Sequence, residues 1–185
     1  MSYSVHRVFA AMLAALLWGR AARADDAVEK LQAGLAAAPS ATQFLTDRCA
    51  ALKLAAPPVI RAVRENLEIK ASAEVRHVLQ VDADTRLGYR RVDLTCGTHV
   101  LSQADNWYVP ERLTPEMNHT LDSGEVPFGA VVKPLNFHRK TLKMESLDEP
   151  AHVLRVTAVL LTAADTPFSL VVENYSRELA ADGRP

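Results

Sequence analysis

The sequence predicts an α+β fold in which N-terminal helices precede a mainly antiparallel sheet of about six strands. Apolar residues recur at helical spacing between residues 27 and 54, whereas from residue 68 onward they follow the alternation of β-strands. Short turns join most of the later segments, which favours antiparallel pairing. The 185 residues suffice for one domain with a substantial core, and we assign residues 25–185 to it.

Two helices are predicted before residue 58. Residues 27–38 are rich in Ala and Leu, and Pro39 ends this segment. Ser40 can cap a second helix that runs to about Leu54, where a Pro-Pro pair follows. A third helix is predicted from Pro115, after a Thr cap, to Gly124.

The predicted strands differ in how clearly they alternate. The last two are the clearest because they are rich in β-branched and aromatic residues and flank a polar turn that ends at Pro167. Residues 96–99 read as a hairpin connection. The six predicted strands span residues 75–81, 89–95, 100–109, 136–144, 153–162 and 168–176.

The first 24 residues have the pattern of a secretory signal peptide. A short basic segment that contains Arg7 is followed by an apolar stretch from Val8 to Gly19, and Ala22 and Ala24 fit the positions that signal peptidase requires. The apolar stretch is too short to span a bilayer comfortably. We therefore expect an exported, periplasmic protein that is not held in the membrane after cleavage.

Composition and motifs exclude several function classes. The formal net charge is −1, and no Lys/Arg run stands out, so we expect no nucleic-acid partner. The six histidines show no metal-ligand spacing, and glycine-rich phosphate loops, Gly-x-Ser-x-Gly and His-Glu-x-x-His motifs are absent from the sequence. We expect neither a metal nor an organic cofactor, and we expect a monomer.

The chain contains two cysteines, Cys49 and Cys96. Export would make a disulfide between them chemically possible, and a loop of this length would stabilise the fold by about 4 kcal/mol. The alternative is that each is a small buried apolar residue. The sequence leaves the two alternatives equal.

One residue in the last strand indicates a polar site. Glu173 is an acid inside an apolar run, where an ionised carboxylate is costly unless it is paired or faces a polar cavity. Arg90 and Arg91, on an earlier strand, are candidate partners that point to opposite faces. Val92 and Leu94 share the parity of Arg90, which favours Arg90 for the core face. An edge strand with a solvated Glu173 is the alternative.

The second half of the chain resembles the chorismate pyruvate-lyase family, which shares its fold with the ligand-binding domains of some transcription regulators. The order and spacing of five stretches carry this resemblance. They are Tyr89-Arg-Arg-Val-Asp-Leu-Thr-Cys96, Asn106-Trp-Tyr-Val-Pro-Glu-Arg-Leu113, Val126-Pro-Phe-Gly-Ala130, Arg139-Lys-Thr-Leu142 and Leu170-Val-Val-Glu173.

The resemblance implies an enclosed small-ligand cavity and elimination of pyruvate from chorismate, or a related cyclohexadienyl acid, to give a hydroxybenzoate. Arg91 would bind the ring carboxylate, Glu173 would be the catalytic acid, and Phe128 and Gly129 would contact the substrate. Both charged residues would then face one cavity. Because chorismate is a cytoplasmic metabolite, the alternative for an exported protein is a non-catalytic domain that binds or senses a small aromatic carboxylate.

Overall fold

The structure, a computed structural model, describes residues 26–180. The predicted signal peptide therefore lies outside the described residues. Five helices occur in this part of the chain: α1 (26–37), α2 (Ala41–Ala51), α3 (Ala73–Leu79), α4 (Pro115–Ser123) and α5 (Phe128–Val131). Six strands accompany them: β1 (Ile60–Glu65), β2 (Gly88–Cys96), β3 (His99–Tyr108), β4 (His138–Ser146), β5 (His152–Leu161) and β6 (Pro167–Ser176).

The strands form one antiparallel sheet in the order β1-β2-β3-β6-β5-β4. This arrangement confirms the predicted α+β class. The hairpin between β2 and β3 turns at Gly97, whose φ of +59° suits glycine. Strand β6, which carries Glu173, lies between β3 and β5 and is therefore central rather than at an edge.

Side-chain capping fixes where three helices begin. The hydroxyls of Ser40, Ser72 and Thr114 accept hydrogen bonds from the backbone N–H three residues later and so begin α2, α3 and α4. The caps at Ser40 and Thr114 are those that the sequence predicted.

The prediction of a strand at residues 75–81 is wrong, because residues 73–79 form helix α3. Ser72 caps a helix there, and Val75 and Leu79, four residues apart, are both buried on one helical face. In so short a segment the spacing of the apolar residues fits both the period of a strand and that of a helix. The N-terminal cap at Ser72 favours the helix. The missing strand is β1, an exposed-edge strand in which Ile60 and Ala62 alone are buried.

The two faces of the sheet are covered differently. Helices α1 and α2 pack on one end of the first face and α4 and α5 on the other, giving two neighbouring clusters of buried apolar residues. Helix α3 covers part of the opposite face, where Val75 and Leu79 pack near Leu170. The candidate site lies on the first face, between its two clusters.

Arg90 is buried on that first face, as its parity with Val92 predicts. Its guanidinium donates hydrogen bonds to the backbone carbonyls of Val126, at 3.0 Å, and Gly124, at 2.8 Å. Burial is the main cause that lowers the pKa of Arg90 from its ordinary value. The residue ties the segment between α4 and α5 to strand β2.

Cys49 and Cys96 form a disulfide in the structure, and their Cα atoms lie 6.3 Å apart. Both residues are fully buried. The bond joins α2 to the last residue of β2 across 47 positions of the chain. It therefore links the helical layer directly to the sheet.

Within residues 26–180, no helix is long and apolar enough to cross a membrane.

Candidate functional site

A pocket opens on the first face of the sheet beneath the start of α2 and α5. Its empty space amounts to about 480 Å³ when the open mouth is included, and the cavity itself to about 40 Å³. Its walls are mainly apolar and include Phe128, Phe137, Leu160 and Val171. Polar side chains are few: Glu173, Arg139, Asn106, Ser40 and Thr42. We call this space the inner pocket.

The inner pocket contains a buried ion pair. The guanidinium Nη2 of Arg139, on β4, lies 2.5 Å from Oε2 of Glu173, and their side chains are 11% and 8% exposed. The phenol of Tyr175 donates to the same carboxylate oxygen at 2.9 Å. Glu173 and Tyr175 are two residues apart on β6 and therefore share a face.

The pKa shifts of Tyr175 and Arg139 agree with this network of hydrogen bonds and charges. Burial raises the pKa of Tyr175 well above its ordinary value, and the Glu173 carboxylate adds to this effect. Burial opposes the charge of Arg139, but Glu173 and Tyr175 offset it and raise the pKa of the guanidinium. Arg139 is therefore a fixed cation and Tyr175 a neutral hydrogen-bond donor.

The carboxylate of the ion pair keeps hydrogen-bonding capacity that residues 26–180 do not use. All hydrogen bonds described for Glu173 reach Oε2, and within this part of the chain none is made to its Oε1. Oε1 is not fully buried, whereas Nε of Arg139 is fully buried without a partner. An accessible acceptor is thus present in the pocket, which suits a ligand group that donates a hydrogen bond.

The prediction that Arg91 and Glu173 face one cavity is wrong. Residues Arg91 and Val92 alternate across the sheet, and Val92, not Arg91, lines the inner pocket. Arg91 lies on the opposite face, where its guanidinium forms a two-point ion pair with Asp105 at 2.7 and 2.9 Å. The hydrogen bonding that Arg91 donates to Asp105 is the main cause that raises the pKa of Arg91.

Phe128 and Gly129 do line the inner pocket, as does Glu173. Helices α2 and α5 come close together at Gly129. A Cβ at this position would lie 3.1 Å from the Thr42 hydroxyl oxygen. The roles that the resemblance assigns to these residues stay predictions. Glu173 is 6% exposed on a central strand, so the solvated-edge alternative is wrong.

Sequence reasoning missed two members of the site, Arg139 and Tyr175. The spacing of two residues between Glu173 and Tyr175 would have placed both on one face. Arg139 lies on an edge strand whose residues are mostly exposed, so its burial leaves no pattern in the sequence. Within the described part of the chain, no group of three or more His, Cys, Asp or Glu could hold a metal ion.

No model of a protein family matches the sequence. One relative is "Uncharacterized protein y4mC" from Sinorhizobium fredii (strain NBRC 101917 / NGR234), which is 35% identical over 177 residues, covering 82% of this chain and 74% of the relative. The chain belongs to the y4mC family. This relationship extends across most of the domain.

The fold of this chain is shared by a solved protein, PhnF. The effector domain of PhnF from Mycobacterium smegmatis superposes with a TM-score of 0.51 at 12% identity, over 64% of this chain and 82% of that domain. The chain spans 59% of whole PhnF and 60% of YydK, a possible transcriptional regulator from Bacillus subtilis subsp. subtilis str. 168. At 14% identity, YydK gives a TM-score of 0.48 over 66% of this chain. The likeness to PhnF supports the regulator-domain fold that the resemblance implies.

Proposed function

We propose that this protein is a non-catalytic binding or sensing module for a small aromatic carboxylate, held in the inner pocket. The observation that carries the proposal is the ion pair of Arg139 and Glu173 in an otherwise apolar pocket. The apolar walls provide the affinity for a ring, and the free Glu173 Oε1 accepts a hydrogen bond from a hydroxyl or similar donor. The likeness to the effector domain of PhnF supports a binding role for this fold.

Two features favour binding over lyase chemistry. Arg91, the arginine that the resemblance assigns to the substrate carboxylate, is engaged by Asp105 on the other face. Glu173 already accepts hydrogen bonds from Arg139 and Tyr175, so it is arranged as a fixed acceptor rather than as a proton donor. A chorismate assay separates the two functions. We expect no release of pyruvate, and turnover by the purified protein would contradict the non-catalytic proposal.

Replacing Glu173 with Gln tests the inner pocket. With the wild-type protein, calorimetry should show that 4-hydroxybenzoate binds about tenfold more tightly than benzoate, because a hydroxyl that donates to a carboxylate is worth more than about 1.4 kcal/mol. In Glu173→Gln the acceptor is uncharged, and the preference should fall to about threefold.

Arg91→Ala is the matched control, since Arg91 is also a partly buried, ion-paired residue but lies on the opposite face. It should keep the wild-type preference. If Arg91→Ala alters the preference and Glu173→Gln does not, the inner pocket is not the binding site. Absence of binding of both ligands to the wild-type protein would contradict the proposed function itself.

Export belongs to the same proposal. The pattern of residues 1–24 supports it, and so does a buried disulfide, because such bonds persist in oxidising compartments. We expect the intact mass of the protein from its native host to correspond to a chain that begins near Asp25. A product that retains Met1 and the following residues would contradict export by cleavage at this site.

A further inference from the structure

A second, open cavity adjoins the inner pocket. We call it the outer groove, and it is lined by Pro39, Ser40, Thr42, Gln43, Thr46, Gly129, Ala130, Lys133, Asn136 and Phe137. Ser40, Thr42, Gly129 and Phe137 line both spaces, so the two meet there. Glu173 and Arg139 line the inner pocket alone. A ligand that fills the inner pocket therefore has one end at the ion pair and the other directed toward the outer groove.

The two spaces differ in electrostatic character. In the inner pocket the charges of Arg139 and Glu173 cancel within one ion pair, and a bare carboxylate placed there would confront Glu173. The outer groove contains one charged side chain, the exposed Lys133, and no acid lines it. Asp47, which does not line the groove, accepts a hydrogen bond from the groove residue Gln43 at 2.9 Å.

Three donors in the outer groove have no partner in the part of the chain that the structure describes. Within residues 26–180, no hydrogen bond or ion pair is described for Nζ of Lys133, the side-chain amide of Asn136 or the hydroxyl of Thr42. Lys133 is the first residue of the short turn of 3₁₀ helix that follows α5, Asn136 directly follows that turn, and Thr42 belongs to the first turn of α2. An ammonium, an amide and a hydroxyl are suitable donors for a carboxylate.

We propose that the outer groove is an anion subsite, formed by Lys133 with Asn136 and Thr42, that binds the carboxylate of the ligand while a hydroxyl or amino group reaches Glu173. This inference rests on the proposed function, and it assigns the ligand to the class of aryl acids with a hydrogen-bond donor at the end remote from the acid. Glu173 of the inner pocket thus orients the donor end of the ligand, whereas Lys133 of the outer groove binds its negative charge.

The test uses probes that differ in charge and length. The acids are 4-hydroxybenzoate and 4-hydroxyphenylacetate, and each is compared with its neutral amide. For at least one pair we expect the wild-type protein to bind the acid about fivefold more tightly than the amide at low salt, because an exposed ion pair contributes up to about 1 kcal/mol. Added salt should reduce this ratio.

Lys133→Gln should bring the ratio of acid to amide affinity close to one, because it weakens binding of the acid more than binding of the amide. Lys133→Glu should favour the amide. Lys140→Gln is the matched control, since Lys140 is an exposed lysine of β4 that lines neither space, and it should keep the wild-type ratio.

The outcomes separate the two proposals. If the wild-type protein binds acids and amides but Lys133→Gln and Lys140→Gln have equal ratios, the anion subsite is wrong and the inner pocket stands. If the wild-type protein does not prefer the acid of either pair, the subsite is also wrong. If no probe binds to the wild-type protein, the proposed function fails and this inference fails with it.

Discussion

Arg139→Ala is expected to lower the free energy of unfolding by about 3–5 kcal/mol, because it leaves the Glu173 carboxylate buried without its cation. The loss should exceed that from an exposed lysine of the same strand, since surface substitutions usually change stability by less than about 0.5 kcal/mol. Urea unfolding of the wild-type protein, Arg139→Ala and the control Lys140→Ala measures the difference.

A double substitution identifies the cause of that loss. If the unpaired charge is responsible, replacing Arg139 with Met and Glu173 with Leu together should restore much of the stability, because buried ion pairs are often matched by apolar residues of similar volume. The same variant should lose the preference for 4-hydroxybenzoate over benzoate. A double variant that is less stable than Arg139→Ala would show that packing, rather than charge, explains the effect.

Reduction of the disulfide between Cys49 and Cys96 is expected to cost about 4 kcal/mol of stability, from the loop of 47 residues that the bond closes. Denaturant midpoints measured with and without a dithiol reductant test this expectation. The bond joins α2 to the sheet, and the first turn of α2 lines the inner pocket. Binding of 4-hydroxybenzoate should therefore weaken in the reduced protein as well.

The matched variant for this experiment replaces both Cys49 and Cys96 with Ala. Its denaturant midpoint should be lower than that of the oxidised protein and should not respond to reductant. Equal midpoints for the oxidised and reduced wild-type protein would show that the bond does not stabilise the fold.

Secondary structure was predicted correctly from the sequence where a single local pattern had only one interpretation. The last two strands and the helix that begins at Pro115 were predicted because β-branched runs and a cap followed by Pro each have one interpretation. The prediction failed for residues 75–81, where the apolar spacing fits a strand and a helix equally. Strand β1 was missed because an edge strand with one buried face and few residues gives a weak alternation.

The site illustrates a second limit. The burial cost of Glu173 correctly predicted that this residue needs a partner, and the parity of Arg90 with Val92 correctly placed Arg90 on the core face. The choice of Arg91 followed the resemblance against that parity. The actual partner, Arg139, comes from a strand two positions away in the sheet, and the strand order that brings it there cannot be read from local periodicity.

The hydrogen bonds of Arg90 have a consequence for how far the chain can vary. Arg90 contacts the backbone carbonyls of Gly124 and Val126, and the N–H of Ala62 donates to the carbonyl of Glu125 at 2.7 Å. The side chains of Glu125 and Val126 are exposed. The path of this segment, which leads to Phe128, is thus specified by residues outside it. Substitutions of Glu125 and Val126 should therefore leave the wall of the pocket in place, provided that Arg90 is kept.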